Sequence, residues 1–425
     1  MRRAGVGPLA IAALASLNIA LWLLFPPEND QRAGFGIQWI SEIFSSTGMV
    51  FMACAIVLSL RIRSFEAYFG GLDRMYRAHR WAALSGLILI LLHFVTIPIV
   101  DPENPGRLLG KIALFGLLAL VALTLVPRLP LPFGQLQIAY HQWRWTHKLV
   151  GVFFIIGIIH TLNVKNLLQF AELPALYWKV ITYSGAAAYV YQIILAPFIR
   201  RTQQFHVSHV RHLNRSTVEV SLTPIGDLPP QRAGQFAFVR FPQHRMLREA
   251  HPFTISSAPD EPTLRLSIKA AGDWTSQLYQ TLTPGTPASV EGCYGAFDYT
   301  SGGPFQIWVA GGIGVTPFLS WVRAMKSNPH QQIHFFYTIR AEADALFWEE
   351  FAAAAARYGN FHAQLNISSR HGSLTADRIA ASAANLAGAD VYLCGPAAMT
   401  IALRRQLTKR GIPGRRIHYE EFNFR

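Results

Sequence analysis

The chain has 425 residues, 51% of them hydrophobic, and a formal net charge of +14. Its three cysteines, Cys54, Cys293 and Cys394, are too few and too scattered for a disulfide framework, and they cannot supply the four thiolates of a plant-type iron–sulfur cluster. The charge does not call for nucleic acid either, because residues 1–202 alone hold 17 basic against 8 acidic residues, mostly in short loops between apolar runs.

Six apolar runs follow in chain order, at about 7–25, 37–60, 79–99, 108–126, 145–162 and 175–199, each near the roughly 20 residues that a bilayer span requires. The first has the basic start of a signal peptide (Arg2, Arg3) but the length of a span, and is expected to be retained. Six crossings return the chain to its starting side. With the N-terminus inside, that side collects Arg2, Arg3, Arg61, Arg63, Arg74, Arg77, Arg80, Arg128, Arg144, Lys148, Arg200 and Arg201, against Arg32, Arg107, Lys111 and Lys165 opposite. The positive-inside rule therefore predicts a multi-pass protein of the cell membrane with its N-terminus and its C-terminal half in the cytoplasm.

Two of these runs carry paired histidines. His79 and His93 are fourteen residues apart on the third, and His147 and His160 thirteen apart on the fifth. An imidazole in hydrocarbon is rare unless it faces the bundle interior and binds something. At 1.5 Å per residue each pair spans roughly 20 Å, within a hydrocarbon core of about 30 Å. The third and fifth runs cross in the same direction, so His79 meets His147 near the inner face and His93 meets His160 nearer the outer face. The expectation is two haems b, each held by two neutral imidazoles, an arrangement without an open iron position that suits electron transfer. Fourteen residues of ideal helix bring His79 and His93 to one face, but thirteen leave His147 and His160 about 140° apart. The fifth run should therefore hold an irregularity such as a π-bulge, or the haems are rotated relative to each other. His141 is a competing inner ligand, and Arg74, Arg77, Arg80 and Arg144 serve either haem propionates or the positive-inside bias alone.

From about residue 203 short β-rich runs alternate with turn signals (FHVSHVRHL, STVEVSLTP, QFAFVRFP, TLRLSIKA, ASVEGCYG), predicting an antiparallel β-barrel over 203–300. After Ser301 the pattern changes to strand, glycine turn, helix, strand, predicting an α/β parallel-sheet nucleotide-binding domain over 301–425. There Gly311-Gly312-Ile313-Gly314 follows a strand and opens a helix, where backbone N–H groups can cradle a pyrophosphate. The expected fold is thus multi-domain: a six-helix α membrane bundle over 1–202, then the barrel, then the α/β domain. Arg340, just after the strand IHFFYTI, is placed to pair with a 2′-phosphate and Arg370 to assist, which favours NADPH over NADH.

Three further stretches carry a resemblance. His251-Pro252-Phe253-Thr254-Ile255-Ser256-Ser257, Ile268-Lys269 with Gly272-Asp273-Trp274-Thr275, and Cys394-Gly395-Pro396 look like the flavin and nicotinamide motifs of the ferredoxin reductase superfamily. Together with the histidine pairs, residues 36–425 resemble the transmembrane ferric reductase and NADPH oxidase family. The resemblance implies that Phe253 and Thr254 contact the isoalloxazine of FAD and that His251, Lys269 and Thr275 hold its phosphates, within a site that includes Pro252, Ser257, Ile268 and Trp274. It implies that Gly311, Gly312, Gly314, Thr316 and Pro317 form the NAD(P)H pyrophosphate turn, that Cys394, Gly395 and Pro396 lie on the nicotinamide side, and that Phe422 covers the flavin. Two departures matter: Cys293 stands where relatives carry proline, and Ile97 where animal oxidases carry a further histidine.

The function implied is a transmembrane oxidoreductase passing electrons from cytoplasmic NAD(P)H through FAD and two haems to an outer acceptor, a ferric iron chelate or dioxygen. Ile97 tilts the choice towards metal reduction. The alternative is a membrane-anchored flavin reductase serving a cytoplasmic protein partner. Neither a calcium-binding loop nor an extension for a regulatory subunit is visible, so the lipid bilayer and a small acceptor are the expected partners, with no obligatory protein.

Overall fold

The computed structural model describes residues 5–29, 31, 33–98, 103–125, 140–199, 202–326, 330–383, 386 and 388–420. The chain forms two compact units, residues 2–70 with 74–199 and residues 71–73 with 200–425.

The first unit is helical: α1 (Val6–Leu24), α2 (Phe35–Ser59), the short α3 (Arg63–Phe69), α4 (Leu72–Thr96), α5 (Gly106–Leu125), α6 (Tyr140–Lys148), α7 (Val150–Asn163), α8 (Glu172–Val190) and α9 (Ala196–Ile199). Among the described residues five helical stretches are long and apolar enough to cross a membrane: α1, α2, α4, α5 and Gln142–Asn163, which runs through α6 and α7. The sixth expected run is helical from 172 to 199, through a π turn at Tyr191–Leu195, but does not join the five. Lys179, Thr182, Ser184 and its tyrosines dilute its apolar character. The core of this unit gathers Trp22, Met49, Met52, Leu114, Phe154 and Trp178. Its outer surfaces keep large apolar side chains exposed, among them Leu24, Ile88, Val95 and Phe115, as lipid contact requires.

The irregularity expected in the fifth run lies at Leu149, between α6 and α7. Leu149 N–H donates to the Thr146 carbonyl and Val152 N–H to that of Leu149, both at 3.0 Å. These are i→i−3 bonds, and the Leu149 carbonyl also accepts from Phe153 N–H at 3.2 Å, so the turn is locally tightened with a shared acceptor and is not a π-bulge.

In the second unit β1 (Gln203–Asn214), β2 (Thr217–Pro224), β3 (Phe236–Arg240), β4 (His251–Thr254), β5 (Leu264–Lys269) and β6 (Pro287–Tyr294) form an antiparallel sheet in the order β4-β3-β6-β1-β2-β5. Its apolar face buries Phe205, Val220, Val239, Leu266 and Val290 beneath α10 (Asp273–Thr281). The edges meet at one bridge, Ile255 with Leu266, so the sheet curls without continuous ladder pairing across the seam.

The remaining strands, β7 (Phe305–Gly311), β8 (Gln332–Ile339), β9 (Phe361–Ile367), β10 (Asp390–Cys394) and β11 (Ile417–Glu420), are parallel in the order β11-β10-β7-β8-β9. Helices α11 (Thr316–Ala324) and α12 (Trp348–Arg357) pack an aromatic core on one face, with Trp308, Phe318, Trp321, Phe335 and Phe351. The short α13 (Ser368–His371) closes β9, while α14 (Ala376–Ser382) and α15 (Ala397–Lys409) cover the other face through Ile379, Leu403 and Leu407. Burial on both faces explains why these strands read as nearly continuous apolar runs.

Candidate functional site

The four membrane histidines come together as two pairs. The rings of His79 and His147 lie 6.2 Å apart, edge to face, and His93 and His160 line one cavity of about 510 Å³. Three of the four are oriented by backbone carbonyls: His79 Nδ1–H donates to Ala55 O at 2.7 Å, His93 Nδ1–H to Ser41 O at 3.0 Å and His160 Nδ1–H to Gly106 O at 2.7 Å. This fixes the tautomer and leaves Nε2 with the lone pair, the arrangement found behind metal-bound imidazoles. His147 is held differently, with the Trp143 ring stacked on it at 5.1 Å. The His141 side chain lies outside the described residues.

Such a site fits haem. The cavity falls within the roughly 300–1,000 Å³ usual for cofactor sites, has apolar walls from Met49, Leu117 and Phe153, and carries Arg107, Lys111 and Lys165, which suit carboxylates. The His160 ring lies so close to α5 that a β-carbon on Gly110 would stand 2.7 Å from it. Sequence reasoning missed Gly106, Gly110, Ser41 and Ala55. A signal was present: Ser41, Gly48 and Ala55 repeat at the same seven-residue interval as His79, Gly86 and His93, and the two sets meet in antiparallel register.

In the soluble unit β4 lies on β3 with Thr254 opposite Phe236, Phe253 opposite Ala237, Pro252 opposite Phe238 and His251 opposite Val239. Trp274 packs on His251 at 4.5 Å and Phe253 at 5.4 Å between ring centroids, so residues from two separate motifs form one wall. Thr254 Oγ1 and Trp274 Nε1 are buried with no hydrogen-bond partner among the described residues, and such orphaned groups fit the polar edge of a flavin. Lys269 is exposed at the end of β5, beside buried Ile268. The Thr275 hydroxyl is engaged in its own helix cap, accepting from Ala271 N–H at 2.9 Å and Gly272 N–H at 3.0 Å. A phosphate at this end of α10 would therefore meet the first-turn amides rather than that hydroxyl. Ser257 is buried and accepts from Arg265 N–H through Oγ.

On the nucleotide side β7 sits between β8 and β10, so the chain reverses its strand order there and opens a crevice at the carboxyl ends. The Gly311–Gly314 turn and the Cys394–Pro396 turn flank that crevice in backbone contact. A β-carbon on Gly314 would stand 2.5 Å from Cys394 O, and one on Gly395 2.9 Å from Gly311 Cα. Gly312 has φ +54°, in the left-handed region that favours glycine. Thr316 and Pro317, both buried, open α11. Cys394 is fully buried, which pushes its thiol well above the usual range and keeps it neutral. Glu420 pairs with it across β10 and β11, and burial pushes that carboxyl up to about 8. No role was read for Glu420 from the sequence.

Arg340 follows β8 at the open end of the crevice, and its carbonyl accepts from Ser369 N–H of α13. Arg370 is next to it but is already paired with Glu342 at 2.8 Å. Phe422 lies outside the described residues.

Residues 44–158 match the ferric reductase like transmembrane component family, residues 202–307 an FAD-binding domain, and residues 308–405 the oxidoreductase NAD-binding domain. Among curated relatives, the ferredoxin–NAD(P)(+) reductase component of a Ralstonia naphthalene 1,2-dioxygenase/salicylate 5-hydroxylase system is 30% identical over 44% of this chain and 60% of its own length. Mouse NADPH oxidase 1 is 33% identical over 42% of this chain and 32% of its own. Human NADPH oxidase 3 is 27% identical over 66% of this chain and 59% of its own. The FAD/NAD-binding domain of a Vibrio cholerae nitric oxide dioxygenase overlays 52% of this chain and 98% of its own at 21% identity, with a TM-score of 0.46. The chain therefore joins a ferric reductase like transmembrane component to an FAD-binding domain and an oxidoreductase NAD-binding domain.

Proposed function

We propose that the protein is a transmembrane oxidoreductase that draws electrons from cytoplasmic NAD(P)H and delivers them across the bilayer, through FAD and two bis-histidine haems b, to a ferric chelate or dioxygen. The observation that carries this reading is the joining of two stacked histidine pairs, three of their imidazoles turned by backbone carbonyls, to a chain that also holds the flavin wall and the nucleotide crevice. FAD, when bound, accepts two electrons together as hydride and releases them singly, which haem cannot do alone.

The chain's own work is binding, orientation and exclusion of water. Thr254 offers a hydroxyl to the flavin edge and Phe253 with Trp274 a flat apolar face. Lys269 and the first turn of α10 receive phosphate, and the Gly311–Gly314 turn brings the nucleotide backbone close to the helix start. Cys394 stays a neutral thiol beside the nicotinamide. Arg340 favours a 2′-phosphate, while Arg370 is already engaged by Glu342, so NADPH is preferred without NADH being shut out. In the membrane His79 with His147 and His93 with His160 would hold the two haems, which would relay single electrons, and Arg107, Lys111 and Lys165 would neutralise carboxylates near the outer pair. Six spans, counting residues 172–199, leave the N-terminus and the flavin and nucleotide domains on the cytoplasmic side, with lipid and the acceptor as the only partners required. Ile97 tilts the acceptor towards chelated ferric iron.

The test is to add NADPH to the purified protein under nitrogen, follow flavin and haem absorbance, and then admit air or ferric chelate separately. Reduced haem that reoxidises with ferric chelate but persists in air selects the metal acceptor. A protein without a Soret band overturns the reading.

A further inference from the structure

Helix α11 joins the two cofactor domains more closely than its place in the nucleotide fold demands. Its first residues, Thr316 and Pro317, follow the glycine turn at the crevice. Its other end reaches the flavin domain. Ser320 Oγ–H donates to Ser257 O at 2.8 Å, Trp321 Nε1–H to Ala233 O at 3.2 Å, and Arg323 to Ser256 O at 2.8 Å. Ser256 and Ser257 directly continue the strand that carries Phe253 and Thr254. Thr316 and Arg323 are seven residues apart, two turns or roughly 10 Å on the same helix face. One rigid rod thus links the phosphate turn to the flavin strand.

Arg323 itself is 7% exposed and is held by Glu350 of α12 through two hydrogen bonds of 2.8 and 2.7 Å. Besides a place over the Phe347 ring at 5.3 Å, it approaches Glu219 on β2 of the flavin sheet, 6% exposed, at 3.6 Å from Oε1. Glu219 Oε2 takes a hydrogen bond from Arg211 at 2.8 Å, but Oε1 is buried with no hydrogen-bond partner among the described residues. A buried carboxylate oxygen left without a hydrogen bond is unfavourable, and the gap to the guanidinium exceeds hydrogen-bond length by less than 1 Å. A small approach of α11 to β2 would satisfy it.

We propose that Arg323 and Glu219 form a positioning pair for hydride transfer, closing into a hydrogen bond when the nucleotide seats at the Gly311–Gly314 turn and so bringing nicotinamide onto the flavin. The inference rests on the NAD(P)H-to-FAD reading above. It assigns no proton or electron to either side chain; the pair acts on distance alone.

The test uses the full-length protein in detergent, with FAD and haem bound, and the size-conserving variants Glu219→Gln and Arg323→Lys. Under nitrogen, NADPH is mixed in and flavin bleaching is followed together with the long-wavelength charge-transfer band of stacked nicotinamide and flavin. The pair predicts a bleaching rate constant about tenfold lower in each variant, a weakened charge-transfer band, an NADPH Kd within about twofold of wild type, and a double variant no slower than the worse single one. Unchanged rate and band in both variants, a change confined to Kd, or loss of bound flavin from both would overturn it. Wild-type protein that fails to bleach with either nucleotide would instead remove the underlying reading.

Discussion

Gly48 and Gly86 meet backbone to backbone, so that a β-carbon on Gly86 would stand 2.8 Å from the Gly48 carbonyl oxygen. Gly86 is seven residues from both His79 and His93, and Gly48 seven from both Ser41 and Ala55, whose carbonyls hold those histidines. The glycine contact therefore sets how far α2 stands from α4, and with it both hydrogen bonds. Close approach through small residues is a recurrent way for membrane helices to pack. Gly86→Val should force the helices apart, at a cost of about 1–3 kcal/mol, and lower haem content at both sites at once. Ile88→Val, at a position 57% exposed on the same helix, should leave haem content unchanged. Haem-to-protein ratios measured as the pyridine haemochrome decide between these outcomes.

Each histidine pair should be separable from the other. His79→Ala or His147→Ala should remove about half of the haem, and His93→Ala or His160→Ala the other half. All four variants should keep the anaerobic rate of flavin bleaching by NADPH, because the flavin and nucleotide residues lie in the other unit. Ferric chelate reduction should fail in His93→Ala. Its survival there would favour delivery of electrons to a cytoplasmic partner instead.

Arg340 and Arg370 both lie just beyond strands of the nucleotide sheet, Arg340 as the expected partner of a 2′-phosphate and Arg370 as its assistant, and the salt bridge from Arg370 to Glu342 widens the difference. Loss of a charged hydrogen bond is worth about 1.5–3 kcal/mol, so Arg340→Ala should raise KM for NADPH by about tenfold or more and leave NADH little changed. Arg370→Ala should have a smaller effect, and Glu342→Gln, which frees Arg370, should lower KM for NADPH. Paired steady-state titrations with the two nucleotides measure all three shifts.

What could be read beforehand was whatever repeats at a period or occupies a motif. Fourteen-residue spacing placed His79 and His93 on one face, and the glycine turn announced the crevice beside β7. What stayed hidden depends on contacts between distant segments. The seven-residue repeat of Ser41, Gly48 and Ala55 matches that of His79, Gly86 and His93, but the repeat does not say that backbone carbonyls will orient the imidazoles, because carbonyls have no sequence signature. The 140° discrepancy in the fifth run did forecast an irregularity, but not its kind, since Leu149 is an ordinary helix former with nothing in its residue type to mark a tightened turn. The resemblance gives Thr275 both a hydroxyl and a backbone amide for phosphate; the N-cap of its own helix engages the hydroxyl, a competition that residue type does not reveal. Nothing in the residue type of Glu420 says that it is buried on the edge strand of the sheet.

Glu420 has a consequence for stability. Its carboxyl is raised from an ordinary 4.5 to about 8, chiefly by burial, so between those values the folded chain holds a proton that the unfolded chain has released. Stability then falls as pH rises through this window and is insensitive to Glu420 below it. The neighbouring Cys394 thiol, also raised by burial, adds no charge near neutrality. Glu420→Gln keeps the shape and removes the titration, so its stability relative to wild type should grow from pH 5.5 to about 8 and level off above that. Hydrogen-exchange protection of the β10 and β11 amides, taken as the ratio of variant to wild type at each pH, isolates this contribution from all other titrating groups. A ratio that stays flat across that range would mean that Glu420 is ionised in the folded protein and that its burial is relieved by a partner.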